Sequence, residues 1–207
     1  GERETWAAVS THEGEETIAA DVHTKLKSRH PDLLTIIVPR HPERAEGLEE
    51  EFTARGLKVA RRSRNDTVLP ETDILLGDTI GEMGLYLRLT EVAFVGRSLA
   101  QSGGQTPIEP ARLGTAVLSG CNVQNFRDAY RRLIDAGGAR LVRDGEMLAG
   151  GVNFLLNNYS ARRTMIKAGR AAVDDMSGAL NRTLQALDPY IHPLIVKSRL
   201  EGGEGHG

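Results

Sequence analysis

The sequence predicts an α/β fold: a doubly wound, mostly parallel sheet with helices on both faces. Three observations carry this. Short apolar runs alternate along the chain with longer stretches of helical period. The runs are continuous rather than alternating, as strands covered on both faces are. Glycine is abundant, 23 of 207 residues, while aromatics are only 4%, a balance that suits α/β proteins, whose glycines serve turns and phosphate-facing loops. On length alone the chain is one large domain or one and a half small ones, with ample material for a core.

Residues 5–9 read as the first strand. Ser10 and Glu13 follow with capping-box spacing, and the next helix places Ile18, Val22 and Leu26 on one face. Residues 33–38 (LLTIIV) form a continuous apolar strand that stops at Pro39. A helix over 42–55 carries the stripe Ala45, Leu48 and Phe52, with Gly56 as its C-cap. Residues 57–60 are a short third strand, and 63–72 a polar surface loop. Two more buried strands, 74–76 and 92–95, flank a helical stretch over 81–89. A short helix over 108–113 leads to a strand at 116–118. Phe126, Tyr130 and Leu133 mark an amphipathic helix, and 140–142 a last short strand. After Asp144 the pattern is wholly helical. There Ile166, Val173, Met176, Leu180, Leu184 and Leu187 trace one face of a long helix ending near Pro189. These strands, with six or seven helices, lie in one domain, residues 1–200. Residues 201–207, rich in Gly and Glu, read as a disordered tail.

Composition removes several function classes. Lys and Arg total 26 against 28 Asp and Glu, a net charge of −2, so no electrostatic footprint for nucleic acid is visible. The lone Cys121 excludes a disulfide framework and a Cys-based zinc ribbon, and fits a reducing compartment. No apolar run reaches the length of a spanning helix, and the first residues lack the apolar segment of a signal peptide.

In a doubly wound sheet ligands sit outside the carboxyl ends of the strands. The informative segments are therefore 10–15, 39–44, 77–82, 96–98 and 102–110, all polar. The last joins Gly103 and Gly104 to a helix start pre-set by Pro107 and Pro110. A phosphate there would meet free N–H groups and the positive end of the helix dipole. Glu109 either complements that dipole or accepts hydrogen bonds from a sugar diol. Arg40 is either a solvated charge or a charge-assisted partner for phosphate or carboxylate, and His41 is equally open. His12, Glu13 and Glu15 match no standard metal-ligand spacing. No Asp-x-Asp pair, Gly-x-Ser-x-Gly elbow or P-loop occurs, and Gly77, Gly81 and Gly84 do not make the dinucleotide fingerprint.

Five strings occur together in one order: STHEGEE (10–16), IIVPRHPER (36–44), LLGDTIGEMGLYLRL (75–89), VAFVGRSL (92–99) and GGQTPIEPARLG (103–114). With GCNVQN (120–125) they resemble the C-terminal half of the 3-deoxy-D-manno-octulosonic acid (Kdo) transferases, densely over residues 6–145. Those enzymes move Kdo from CMP-Kdo onto lipid A precursor and have the two-domain GT-B fold. The resemblance implies that this chain is the Rossmann-like donor domain. Pro39 and Arg40 would contact CMP; Ile80, Gly81 and Glu82 would match the family's Met-Gly-Glu stretch at the nucleotide. Thr106, Pro107, Ile108 and Glu109 would match Asn-Pro-Leu-Glu, with Glu109 on the ribose. Gly103 and Gly104 complete the substrate-binding set. Thr106 stands where the family usually has Asn, Ile80 where it has Met, and Arg97 where many members have the second Gly of Val-Gly-Gly-Ser. Arg97 is either a branch feature or an added cation near the donor's carboxylate or phosphate.

The resemblance further implies an inverting transfer whose catalytic base is a Glu in the N-terminal domain, outside this chain. This chain alone would bind CMP or CMP-Kdo without turnover, and it needs no metal or cofactor. The acceptor, lipid A precursor, and the cytoplasmic face of the inner membrane would concern the full-length protein, this part being soluble. Two other readings stay open: a GT-B transferase or epimerase with a UDP-sugar, and a non-catalytic α/β binding module.

Overall fold

A computed structural model describes residues 3–201, with side chains through residue 187. Seven strands form a single sheet: β1 (Thr5–Thr11), β2 (Leu34–Pro39), β3 (Val59–Arg61), β4 (Ile74–Leu76), β5 (Val92–Val95), β6 (Ala116–Gly120) and β7 (Ala139–Val142). Their order is β3-β4-β2-β1-β5-β6-β7, and every pairing is parallel. Each of the seven runs read from the sequence is a strand, and the sheet has no antiparallel member. The four strands β2, β4, β5 and β6 are buried at every position, which is why they read as unbroken apolar runs. The edge strands β3 and β7 are only partly buried.

The helices are α1 (Glu15–Lys27), α2 (Ala45–Ala54), α3 (Met83–Arg88), α4 (Ile108–Leu113), α5 (Arg127–Asp135), α6 (Gly145–Asn157) and α7 (Tyr159–Glu201). Strand residues alternate between two cores. Trp6, Ala8, Ile37, Ile74, Phe94 and Leu118 pack with Val22 and Leu26 of α1, Leu48 and Phe52 of α2, and Leu148 and Val152 of α6. Elsewhere Tyr86 and Leu87 of α3, Ala111 of α4, and Tyr130 and Leu133 of α5 are buried as well, with α3 against β1, α4 against β6 and α5 against β7. Ala45, Leu48 and Phe52 are the buried residues of α2, and Gly56 beyond it has φ 80, so that stripe and C-cap are as the spacing predicts.

The described chain divides into two compact units, one through Ala172 and one from Val173 onward. The helix expected to end near Pro189 continues to Glu201. A proline removes one backbone hydrogen bond and need not end a helix. Along its apolar stripe Ile166 and Val173 are buried, whereas Leu180, Leu184 and Leu187 are exposed. The tail expected at 201–207 lies, beyond Glu201, outside the described residues. No described helix is long and apolar enough to cross a membrane.

Candidate functional site

Strand order reverses about β1. β2, β4 and β3 lie to one side, and β5, β6 and β7 to the other. The crevice outside the carboxyl ends of β1 and β5 is where open α/β sheets bind ligands.

The exit from β1 is organised by a buried carboxylate. Gly14, at φ 91, caps α1. Glu15, 1% exposed, turns back across the crevice. Its Oε2 accepts the amide N–H of His12 at 3.0 Å and of Arg97 at 2.7 Å; its Oε1 accepts those of Ser98 and Leu99, both at 2.9 Å. One side chain therefore ties the β1 exit turn to the β5 exit turn. The capping box expected of Ser10 and Glu13 does not form. The reciprocal pair is His12 and Glu15, because the helix starts at Glu15, four residues beyond the start that a Ser10 cap would set, and Ser10 sits in the left-handed region at φ 54. Gly96 lies in the same seam. A Cβ there would stand 2.6 Å from the Ser10 carbonyl oxygen and 2.7 Å from the Thr11 Cα, so only glycine fits.

At the β2 exit Pro39 is buried and Arg40 exposed. The Arg40 amide donates to the Thr11 carbonyl at 2.9 Å, and its guanidinium has no protein partner. The rings of His41 and His12 meet edge-on, 5.7 Å apart. Behind them Glu16 is fully buried. Its Oε1 accepts from Arg44 at 2.7 Å and from the Thr11 hydroxyl at 3.1 Å, while Oε2 has no partner. Burial raises its pKa against the opposing pull of Arg44 and Thr11.

At the β4 exit Ile80 is 90% exposed, Gly81 has φ 82, and Glu82 caps α3. The Glu82 carboxylate accepts from Arg62 Nη2 at 2.9 Å and from the Thr79 hydroxyl. Those bonds, Thr79's first, hold its pKa below the usual range. Asp78 accepts from the Ser63 hydroxyl at 2.6 Å, the Ser63 amide at 2.8 Å and Arg61 Nε at 2.8 Å. Burial pushes its pKa up, but these bonds outweigh it and leave the carboxyl low. Arg61 at the end of β3, Arg62 after it, and Ser63 at the start of the loop read as polar surface thus all reach this rim. The signal is three arginines within four residues, Arg61, Arg62 and Arg64, at the end of a strand.

The β5 exit corrects one expectation. Gly103 and Gly104 do adopt positive φ, 111 and 76, but their N–H groups are not free for an anion. Gly103 N–H donates to Gln124 Oε1 at 3.1 Å and Gly104 N–H to the Arg97 carbonyl at 2.7 Å. The glycines serve close packing instead: a Cβ on Gly104 would lie 2.9 Å from the Val123 Cα. Beyond them Pro107 is buried and Thr106 exposed. The Ile108 N–H is engaged by Thr106 Oγ1 at 3.3 Å, and neither Pro107 nor Pro110 has an N–H. Glu109 is exposed on α4 beside an open cleft shared with Arg88, Thr106, Ile108 and Arg112. Its Oε1 reaches toward Gly84 of α3.

Of the expected residues, the structure joins the Glu109 helix to the start of α3, and Arg97 to Gly103 and Gly104. No hydrogen bond or ion pair among the described residues links Arg40 to the segment 103–109. Nor does any group of three or more His, Cys, Asp or Glu gather as a metal site among them.

No protein-family model matches the chain. Among curated proteins it is 35% identical over 191 residues to the 3-deoxy-D-manno-octulosonic acid transferase of Haemophilus influenzae, covering 92% of this chain and 45% of that protein. It is 38% identical over 189 residues to the enzyme of the same name from Bordetella pertussis, covering 89% and 44%. The chain therefore spans less than half the length of these relatives. Among solved structures it aligns with the C-terminal CMP-Kdo binding domain of WaaA from Acinetobacter baumannii. The TM-score is 0.80 at 26% identity, covering 83% of this chain and 90% of that one. In sequence and in fold alike, the chain belongs to the 3-deoxy-D-manno-octulosonic acid transferases.

Proposed function

We propose that the chain is the donor-binding domain of a glycosyltransferase that moves Kdo from CMP-Kdo to lipid A precursor. The observation that carries this is its likeness, over most of both chains, to a domain described as CMP-Kdo binding. In the reaction an acceptor hydroxyl oxygen attacks the anomeric carbon of Kdo, the bond to the phosphate oxygen breaks, and CMP departs as an anion. The hydroxyl proton passes to a base that the resemblance assigns to the acceptor domain, outside these residues.

This chain's share is binding and charge stabilisation. Arg40 takes the phosphate, with the Pro39 turn setting its direction. Ile80, Gly81 and Glu82 border the nucleotide, and Glu109 accepts from the ribose hydroxyls. β2 and β5 are two ladder steps apart, roughly 10 Å, a span suited to a nucleoside monophosphate lying over the end of β1. Because the Gly103 and Gly104 amides are engaged within the protein, side-chain cations bear more of the anion binding than the glycines do.

A thermal-shift series with CMP, UMP and UDP tests the reading. CMP at a hundred times its Kd adds about 2.7 kcal/mol of stability, and Arg40→Ala and Glu109→Ala each diminish the shift. A shift with UDP alone would replace CMP-Kdo by a UDP-sugar. No shift with any nucleotide would make the chain a non-catalytic module.

A further inference from the structure

Six arginines are half-buried among the described residues: Arg3, Arg44, Arg61, Arg62, Arg97 and Arg162. Five are held by the protein. Arg3 donates to backbone carbonyls including Asp32 and Leu69. Arg44 pairs with Glu16, Arg61 with Asp78, Arg62 with Glu82 and Arg162 with Glu91. Arg97 alone has neither a hydrogen bond nor an ion pair from its guanidinium. A partly desolvated cation with five unused donors is an unfavourable arrangement unless something outside the chain completes it.

Its backbone is fixed at a cost. Arg97 has φ 54, a region that non-glycine residues enter at a penalty and that clusters at ligand-binding positions. It is held there from both ends: its N–H goes to Glu15 Oε2 at 2.7 Å, and its carbonyl accepts the Gly104 N–H at 2.7 Å. The side chain lies along Gly103. A Cβ on that glycine would come within 3.4 Å of Arg97 Nε and 2.9 Å of Asn125 Nδ2. A guanidinium and a side-chain amide thus flank one glycine, directly beyond β5 at the point where strand order reverses. The nearby acid, Glu15, already accepts four amides and is not the partner.

We infer that Arg97, with Asn125 beside it, is a specificity-determining residue that binds an anionic oxygen group of the nucleotide-activated sugar. The inference rests on the donor-binding reading above. Two groups of such a donor share the chemistry, the phosphate and the sugar carboxylate, and a planar guanidinium suits both.

Calorimetric titration of the wild type, Arg97→Gly and Arg97→Gln with three probes decides it: cytidine, CMP, and a hydrolysis-resistant CMP-Kdo analogue fluorinated beside the anomeric carbon. Glycine accepts φ 54 freely, and glutamine retains much of the side chain, so the pair covers both backbone and charge. Cytidine affinity stays within twofold in both variants. Affinity for an anionic probe falls at least tenfold in both. A loss already present with CMP assigns the phosphate; a loss appearing only with the analogue assigns the carboxylate. Wild-type-like affinity of either variant for both anionic probes would overturn the inference and leave the donor reading standing. Failure of the wild type to bind any of the three would sink the donor reading, and this inference with it.

Discussion

Replacing Glu15 by Gln tests whether the crevice is built around one carboxylate. The side chain is buried, and its two oxygens each accept two backbone amides. Glutamine keeps the shape but offers one accepting oxygen. Its NH2 must face two N–H donors, either His12 and Arg97 or Ser98 and Leu99. Hydrogen bonds to a charged group contribute ~1.5–3 kcal/mol each, so losing two costs about 3–6 kcal/mol. A neutral amide is cheaper to bury than a carboxylate, which favours the lower end. Even about 3 kcal/mol is a large share of the ~5–15 kcal/mol that holds a typical domain folded. For a chain of this size it lowers Tm by roughly 6–12 °C. Urea unfolding followed by circular dichroism gives the difference directly. CMP titration of the folded variant should show weaker binding, because Arg97 to Leu99 are no longer tethered. A Glu15→Gln protein within about 1 kcal/mol of wild type would refute the clamp, since even one lost charge-assisted bond costs more than that.

Gly96→Ala forces a Cβ onto the backbone of the Ser10–Thr11 peptide and the clamped Glu15 carboxylate, and that backbone cannot swing away as a side chain would. The expected loss is about 2 kcal/mol or more, read by the same unfolding assay, and a neutral result would contradict the packing. Phe52→Ala empties a fully buried ring site and costs about 3–5 kcal/mol. Arg62→Ala releases Glu82, whose carboxyl then titrates closer to its ordinary value, visible by NMR of the Glu82 side chain. His23 is buried against Thr35 and Asp73, and burial lowers its pKa while Asp73 opposes that. Stability is therefore full above the unfolded value near 6.5 and falls as pH drops below it, with a slope of up to about 1.4 kcal/mol per pH unit. His23→Gln flattens stability between pH 7 and 5. Asp73, Asp78 and Glu91, held low despite burial, add their losses only below their unfolded values, as pH falls through their folded ones. Glu16 runs the other way. Its raised pKa means the folded state prefers the acid, so its contribution is lost as pH rises, and Glu16→Gln gains stability at neutral pH relative to pH 4.

The fold was legible because its signals are local. The runs at 33–38, 74–76 and 92–95 are strands that neither face exposes, and α4 occupies the span that its prolines and Gly114 delimit. Capping was misread, since which of Ser10, His12 and Gly14 begins α1 depends on where the Glu15 carboxylate finds amides, and three of its four donors come from residues more than eighty positions later. The site was legible as a set of strand ends but not as a set of bonds. Gly103 and Gly104 looked like anion donors from spacing alone. Only the path of 121–125 beside them reveals that Gln124 and Arg97 already accept their N–H groups. The tie between Arg62 and Glu82 joins the turn after β3 to the loop after β4, two segments whose pairing no periodicity records.

The occupied amides bear on how an anionic donor can be held at all. In dinucleotide folds the phosphate meets backbone N–H groups and a helix N-terminus at the crevice. Here the protein's own carboxylate, Glu15, occupies amides of the β1 and β5 exit turns, and a phosphate placed on the same amides would meet a negative charge. Binding must then shift outward to side chains that reach past the clamp. The exit turns of β1, β2 and β5 carry two guanidinium groups without protein partners, Arg40 on one side of β1 and Arg97 on the other. Fixed arginines attract an anion through charge rather than through backbone geometry, so affinity should fall steeply with ionic strength to the extent that they remain solvent-facing. CMP binding measured from low to high salt should weaken progressively, while cytidine binding stays nearly flat. Equal salt dependence for the two would mean that the phosphate is held by neutral donors after all, and that the division between a structural carboxylate and two ligand-facing cations is wrong.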